Sequence, residues 1–353
     1  MACIELIKKL SNAFGPSGCE REIAQMIKKE ISDIAPDAYI DRMGNLIALM
    51  RFGDISASNR ARIMISAHMD EVGFMINEVK EGGLLGFDTI GGISESVLAG
   101  RRVLIHGKNG FVDGIIASKA IHHKDKNERK KAVAVDKLYI DIGAVDADEA
   151  RAYVEVGDFA SFSSEFYEFG DGYIKGKALD DRIGCASLIE VMRSLYANAP
   201  SESIDVFCCF TVREEISLSG AKTAAFALRP DVAIVLESTA VADIAGVDAS
   251  RRVADTAKGV AVSVMDRSTI YDKELIRLAL DVAEAEGVKA QLKRYVSGGN
   301  DAGSIHKVCD GVRTLALSVP TRYLHSASCV AHIDDVCSQA RLCELIVRNI
   351  CEV

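Results

Sequence analysis

Residues 62–67, Arg-Ile-Met-Ile-Ser-Ala, form an apolar run without alternation that ends on His68. A strand that alternates polar and apolar residues buries one face. An unbroken apolar strand is generally buried on both, as in a parallel sheet layered with helices. The same character returns at 203–211, 231–236, 259–265 and 311–317, with helical periodicity at 181–195, 219–227, 273–285 and 335–351. These parts of the chain therefore read as a layered α/β sheet. Before them, 4–14 and 20–34 read as helices broken by Gly15-Pro16-Ser17-Gly18, and 38–40 with 46–50 as a short hairpin.

Between Val72 and about Ser163 the pattern changes to short strands separated by glycines (Gly82-Gly83, Gly91-Gly92, Gly107, Gly110, Gly114), with one helical stretch at 146–153. Closely spaced strands of this kind predict a small β-rich, barrel-like domain. It reads as an insertion at 72–163 into one discontinuous α/β domain made of 1–71 and 164–353. A polar run from His122 to Lys131 crosses the insertion. Its His pair could bind metal, but a solvated loop suits the composition better.

The 353 residues are enough for a large core, and 49% hydrophobic with 26% charged residues is the balance of an ordinary globular protein. A net charge of −9 argues against nucleic acid and anionic membrane surfaces as partners. No apolar run reaches the roughly 18 residues of a membrane span, and Glu5, Lys8 and Lys9 interrupt any signal-peptide core. The ten cysteines include no Cys-x-x-Cys, so they read as reduced core residues of a cytoplasmic protein.

What the strands share is their endings. Ser66-Ala67-His68-Met69-Asp70-Glu71, Thr211-Val212-Arg213-Glu214-Glu215, Val235-Leu236-Glu237 and Arg322-Tyr323-Leu324-His325-Ser326 all place an acid or His where a strand leaves the sheet. In open α/β sheets ligands gather at that edge. Asp180-Asp181, ahead of the periodic run 185–196, could be a doubled helix N-cap, and His68 a satisfied core His. Five such stretches together suit a divalent metal site better than five separate structural accidents. A co-catalytic site needs a carboxylate that bridges two cations, with His and carboxylates completing each shell. Asp70 could accept the free ring N–H of His68 and fix its tautomer. Glu214-Glu215 continue an extended segment, where adjacent side chains point opposite ways, so one can ligate while the other faces the attacking water as general base. The glycines of 297–303, Ser-Gly-Gly-Asn-Asp-Ala-Gly, lack phosphate-loop spacing and read as a close backbone approach, with Asp301 capping a helix through His306. No Gly-x-Ser-x-Gly supports Ser326 as a nucleophile, and His106 and His332 read as structural.

With these motifs in order, the chain resembles the tetrahedral (TET-type) or glutamyl aminopeptidases, dimetal metallopeptidases whose members are sometimes labelled endoglucanases. The resemblance runs nearly end to end and is carried by Ala67 to Gly73, Asp141-Ile142-Gly143-Ala144, Gly176 to Gly184, Thr211 to Ala221, Gly298 to Gly303 and Arg322 to Ser326. It implies a zinc-peptidase-like α/β catalytic domain with a dimerisation barrel inserted at 72–163. It also implies dimers that assemble into hollow dodecamers. It assigns one metal to His68, Asp180 and Glu237 and a second to Asp180, Glu215 and His325, with Glu214 as general base and Asp70 orienting His68. The metals would be Zn²⁺, with Co²⁺ or Mn²⁺ as alternatives. A cis Asp180–Asp181 bond is implied as well, a geometry rare outside special sites. Four positions depart from the usual pattern: Glu237 for a common Asp, Ser217 for Gly, Asn300 for Thr, and Ala120-Ile121 for a Pro pair.

The function expected is release of N-terminal residues from short peptides, the free amine lying near the excess carboxylates. A deacylase of small N-acyl compounds would use the same ligands. A glycosidase would need its carboxylates on opposite sides of a sugar bond, about 5–9.5 Å apart, and the chain has no Trp to pack against a ring.

Overall fold

In chain order the computed structural model begins with α1 (Ala2–Asn12), α2 (Arg21–Glu30), β1 (Tyr39–Ile40), β2 (Leu46–Phe52) and β3 (Ala61–His68). It describes residues 2–123 and 131–352. Next come β4 (Gly73–Val79), β5 (Leu85–Ile90), β6 (Arg102–Gly107), β7 (Gly110–Ala117), β8 (Tyr139–Asp141), α3 (Ala147–Tyr153) and β9 (Phe159–Phe162). The remainder runs β10 (Tyr167–Phe169), β11 (Tyr173–Gly176), α4 (Leu179–Ala197), β12 (Ile204–Thr211), α5 (Glu214–Ser217), α6 (Ser219–Leu228) and β13 (Val232–Ala240). It closes with β14 (Val260–Val262), α7 (Lys273–Ala285), β15 (Ala290–Leu292), α8 (Ala302–Ile305), β16 (Arg313–Thr321), β17 (Cys329–His332) and α9 (Ile333–Asn349).

The fold is mixed α/β. An eight-stranded sheet has the order β1-β2-β12-β3-β13-β16-β14-β15, and its middle strands β12, β3, β13 and β16 are mutually parallel. The sequence explains why. Every residue of β12 is buried, because successive side chains point to opposite faces and each face carries helices. Ile63, Ile65, Val206 and Cys208 pack in one cluster with Leu6, Ile27, Leu188 and Leu342. Met64, Phe207, Cys209 and Val235 pack in another with Ala221, Ala224 and Ile305. All four parallel strands therefore end at one edge of the sheet.

The glycine-punctuated strands close into a barrel of order β4-β5-β8-β7-β6-β9. Its interior holds Phe74 edge-on to Phe87 and Phe162, with centroids 5.3 and 5.1 Å apart. At Gly114 a Cβ would lie 2.6 Å from Ile140 Cγ2, so a residue with a side chain would force the barrel wall apart.

Several expectations are revised. The strand expected at 259–265 pairs with the sheet only over Val260–Val262, and the second helix ends at Glu30. A three-stranded sheet β10-β11-β17 was not anticipated. Its strands are three or four residues long, too short for periodicity to register. Cys185, Cys208, Cys209, Cys329 and Cys343 are buried as expected, whereas Cys309, Cys337 and Cys351 are exposed. His122 and His123 sit exposed in a 3₁₀ turn, and residues 124–130 of that polar run lie outside the described residues. Phe210 is fully buried beside the sheet edge. Phe210→Ala should lower the unfolding free energy by about 3–5 kcal/mol, read as a reduced urea midpoint.

Candidate metal centre

Register brings the separate stretches together. Thr211 of β12 lies opposite His68 of β3, so the chain leaving β12 reaches Glu214 and Glu215 beside that imidazole. Glu237 lies opposite Ser318 on β16, and β16 runs on toward His325. Asp180 is in the first turn of α4, where Asp180 and Asp181 are non-helical and joined by a cis peptide bond.

Asp180 stands between the two imidazoles. Its Oδ1 is 3.3 Å from His68 Nε2 and its Oδ2 is 3.4 Å from His325 Nε2. On the first side Glu237 Oε1 is 3.5 Å from His68 Nε2, and on the second Glu215 Oε2 is 3.3 Å from His325 Nε2. The free ring nitrogens are also held. His68 Nδ1 is 3.1 Å from the Asp70 carbonyl oxygen and 3.4 Å from its carboxylate. His325 Nδ1 is 2.8 Å from the carbonyl of Gly92, in the loop after β5. Both rings thus keep Nε2 toward the carboxylates.

The Asp70 carboxylate does more than face His68. It accepts the backbone N–H groups of Glu214 and Glu215 at 3.0 and 3.1 Å and the Ser17 hydroxyl. Those N–H groups belong to a helical turn, because α5 begins at Glu214 after Arg213 at φ 58°. The expectation of an extended Glu-Glu pair is therefore corrected: the left-handed Arg213 turns the chain before it can continue as a strand. Glu214, Glu215, Glu237, Asp180 and His325 line one cleft of about 610 Å³, together with Gly298, Gly299 and Asn300. Asp301 is not a side-chain cap. It accepts the Thr211 hydroxyl at 2.6 Å, and Asn300 Oδ1 accepts the Ala302 N–H instead.

The electrostatics are those of excess negative charge held out of water. Burial and the neighbouring Asp180 push the Glu237 carboxyl up to about 8. Burial drives Glu214 well upward too, with Glu237, Glu215 and Asp301 adding to it against His68. Asp180 is held low against its own burial by His325 and His68. Two imidazoles do not neutralise this many buried carboxylates. Glu215 Oε1 and Asp181 Oδ2 are buried without a hydrogen-bond partner. His68 with Asp180 and Glu215, and His68 with Asp181 and Glu237, place ligand atoms within 4.8 Å of one another. Orphaned carboxylate oxygens converging with imidazole nitrogens fit a divalent cation.

Some supporting residues lie in or beside the motifs but take no role from the sequence alone. Buried Lys177 donates to buried Glu71 Oε2 at 2.6 Å and to the Ala13 carbonyl at 3.1 Å. Arg182 donates to the Leu10 and Gly15 carbonyls at 2.8 and 3.2 Å. Asp243 grips Arg322 through two hydrogen bonds of 2.7 and 2.9 Å, bracing a loop in which Tyr323 and His325 both have positive φ. In the sequence Asp181 is marked only as the neighbour of Asp180. Its acid repeat was the available signal.

An α/β sheet whose edge gathers two imidazoles and several buried carboxylates in one cleft is the frame of a metallohydrolase. The chain belongs to the M42 glutamyl aminopeptidase family, whose model matches residues 44–342. It is similar to the TET aminopeptidase of a marine sediment Thaumarchaeota archaeon, with 35% identity, a TM-score of 0.94, and 99% of this chain and 96% of that one covered. It also resembles the Pyrococcus horikoshii TET1 peptidase, described as assembling into a tetrahedron or a large octahedral shell. The identity there is 33%, the TM-score 0.85, and 98% of each chain is covered. A lysyl aminopeptidase of Pyrococcus furiosus is 27% identical over 98% of this chain and 97% of its own.

Lys177→Met would leave the Glu71 carboxylate buried with only the Gly15 N–H at 3.1 Å and the more distant Arg182 guanidinium at 4.0 Å. It should destabilise the protein by about 3–5 kcal/mol, while Lys177→Met combined with Glu71→Leu should recover most of that loss in the same denaturation experiment.

Proposed function

We propose that this aminopeptidase removes N-terminal residues from short peptides with two divalent cations. The observation that carries the reading is Asp180, whose two oxygens face two different imidazoles. His68, Asp180 and Glu237 would hold one ion, and Asp180, Glu215 and His325 the other. Zn²⁺ is the first choice, and Co²⁺ or Mn²⁺ suit the same nitrogen and oxygen donors. When bound, such ions polarise the scissile carbonyl and lower the proton affinity of water. Glu214, raised by its buried acidic surroundings, takes the proton of the attacking water and delivers it to the departing amine. Asp70 fixes both His68 and the turn carrying Glu214, so it acts as a positioning residue. The buried carboxylates favour a substrate with a free, protonated N-terminus over an N-acylated one.

The chain divides on this reading into a catalytic part, 1–71 and 164–353, and a barrel, 72–163, through which protomers dimerise. Assembly of dimers into a dodecamer is supported by the shells described for the P. horikoshii relative. The compartment proposed is the cytoplasm. Among the described residues no helix is long and apolar enough to cross a membrane.

Glu214→Gln should retain two metals per chain by elemental analysis while losing on the order of 10²–10⁴ in turnover of a free-N-terminal peptide. A variant that loses its metal as well would contradict a proton-transfer role. The pH dependence has a definite sign. In the metal-free protein the Glu237 carboxyl is raised to about 8, so its contribution to stability is present below the ordinary carboxylate range and lost as pH rises through about 8. A cation must displace that proton. Metal loading should therefore release protons, and apparent affinity should climb with pH up to that value, measured by calorimetry in buffers of different ionisation enthalpy.

A further inference from the structure

Two buried carboxylates hold the bend that carries Glu214, and the metal chemistry uses neither as a ligand. Arg213 has a left-handed backbone, φ 58° and ψ 35°, which a residue with a side chain adopts only where its surroundings impose it. Those two angles relate two planar peptide units. The unit before the Arg213 Cα carries the Arg213 N–H, and the unit after it carries the Glu214 N–H. Asp70 holds the second, accepting the Glu214 N–H at 3.0 Å. Glu20 holds the first. Its Oε1 accepts the Arg213 N–H at 3.1 Å and the Gly18 N–H at 2.8 Å, and the residue is only 6% exposed.

Glu20 directly precedes α2, and the loop leading to it is pinned to the segment after β3. The Gly15 and Ser17 N–H groups donate to the Glu71 carboxylate and carbonyl at 3.1 and 3.2 Å, and the Ser17 hydroxyl donates to Asp70. Glu20 and Asp70 are thus parts of one mount. The Val212 carbonyl, on the first peptide unit, also accepts the Gly220 N–H at 3.2 Å, so removing Glu20 loosens the bend without releasing it. A cavity of about 450 Å³, sharing no lining residue with the metal cleft, opens onto Gly18, Glu20 and Arg213.

We infer that Glu20 is a positioning residue of the reaction: by holding the Arg213 N–H it fixes the left-handed bend from which Glu214 is aimed into the cleft. The inference rests on the reading of Glu214 as general base. Glu20 touches neither a metal ligand's side chain nor the cleft, so its effect passes through the backbone of one residue.

The test uses the metal-loaded full chain and the best cleaved of leucine, glutamate and lysine amides. Glu20→Met keeps the side chain's length and removes its acceptors, so kcat should fall about ten- to hundredfold with KM within about twofold and metal content unchanged. E20Q keeps an acceptor oxygen and should return kcat to within about threefold of wild type. Glycine enters the left-handed region freely, so adding R213G to E20M should recover most of the loss, which a side chain acting on substrate would not allow. Because Glu20 acts through Glu214, adding E20M to E214Q should cost no further turnover. Should circular dichroism show E20M unfolded, E20A carries the same comparisons, since water from the adjoining cavity can reach the N–H groups it frees. Wild-type kcat in E20M, an equal loss in E20Q, a loss that adds to that of E214Q, or loss of metal from E20M overturns the inference and leaves the aminopeptidase reading standing. Undiminished turnover in E214Q overturns the general-base reading and the inference with it. Failure of the loaded wild type to cleave any of the amides overturns the aminopeptidase reading as well.

Discussion

Burial of four parallel strands on both faces is the constraint from which the rest of the molecule follows. Once β12, β3, β13 and β16 are covered on each side, their order and direction are fixed by packing. Their carboxyl ends must then meet along one edge. The polar endings cannot be taken into the hydrophobic layers, so they collect in a cleft at that edge, where the chain turns away.

The cleft concentrates negative charge that the protein by itself does not neutralise. Two imidazoles, held in one orientation by the carbonyls of Asp70 and Gly92, face at least three carboxylates. The surrounding structure accepts this because the backbone is braced elsewhere: by Lys177 and Glu71 behind the His68 segment, by Arg322 and Asp243 behind the His325 loop, and by Asp70 beneath the Glu214 turn. Rigid support of this kind keeps ligands apart from one another against their repulsion and ready for a cation. The raised Glu214 and Glu237 carboxyls then share one physical origin, burial among like charges.

Much of this was legible in the residues. His68, Glu237 and the Glu214-Glu215 pair each follow an apolar run, and a strand ending on a charged residue is visible without a structure. The Gly spacing through 72–163 likewise announced short strands, and these close as a barrel. Other features had no local signature. The helical turn at Glu214 depends on Arg213 adopting a left-handed conformation, which sequence patterns disfavour for such a residue. Asp301 looked like a helix cap because its local context is that of one, yet the Thr211 hydroxyl from a distant strand claims its carboxylate.

The sequence by itself determined the layered α/β class, the β-rich character of the segment after His68 and the donor types available to a metal, because these depend on periodicity and chemistry along the chain. Tertiary structure alone decided that Asp180 stands between two imidazoles and that a barrel loop holds His325. Those relations join residues more than a hundred positions apart. They arise from strand register and packing, which no local pattern encodes.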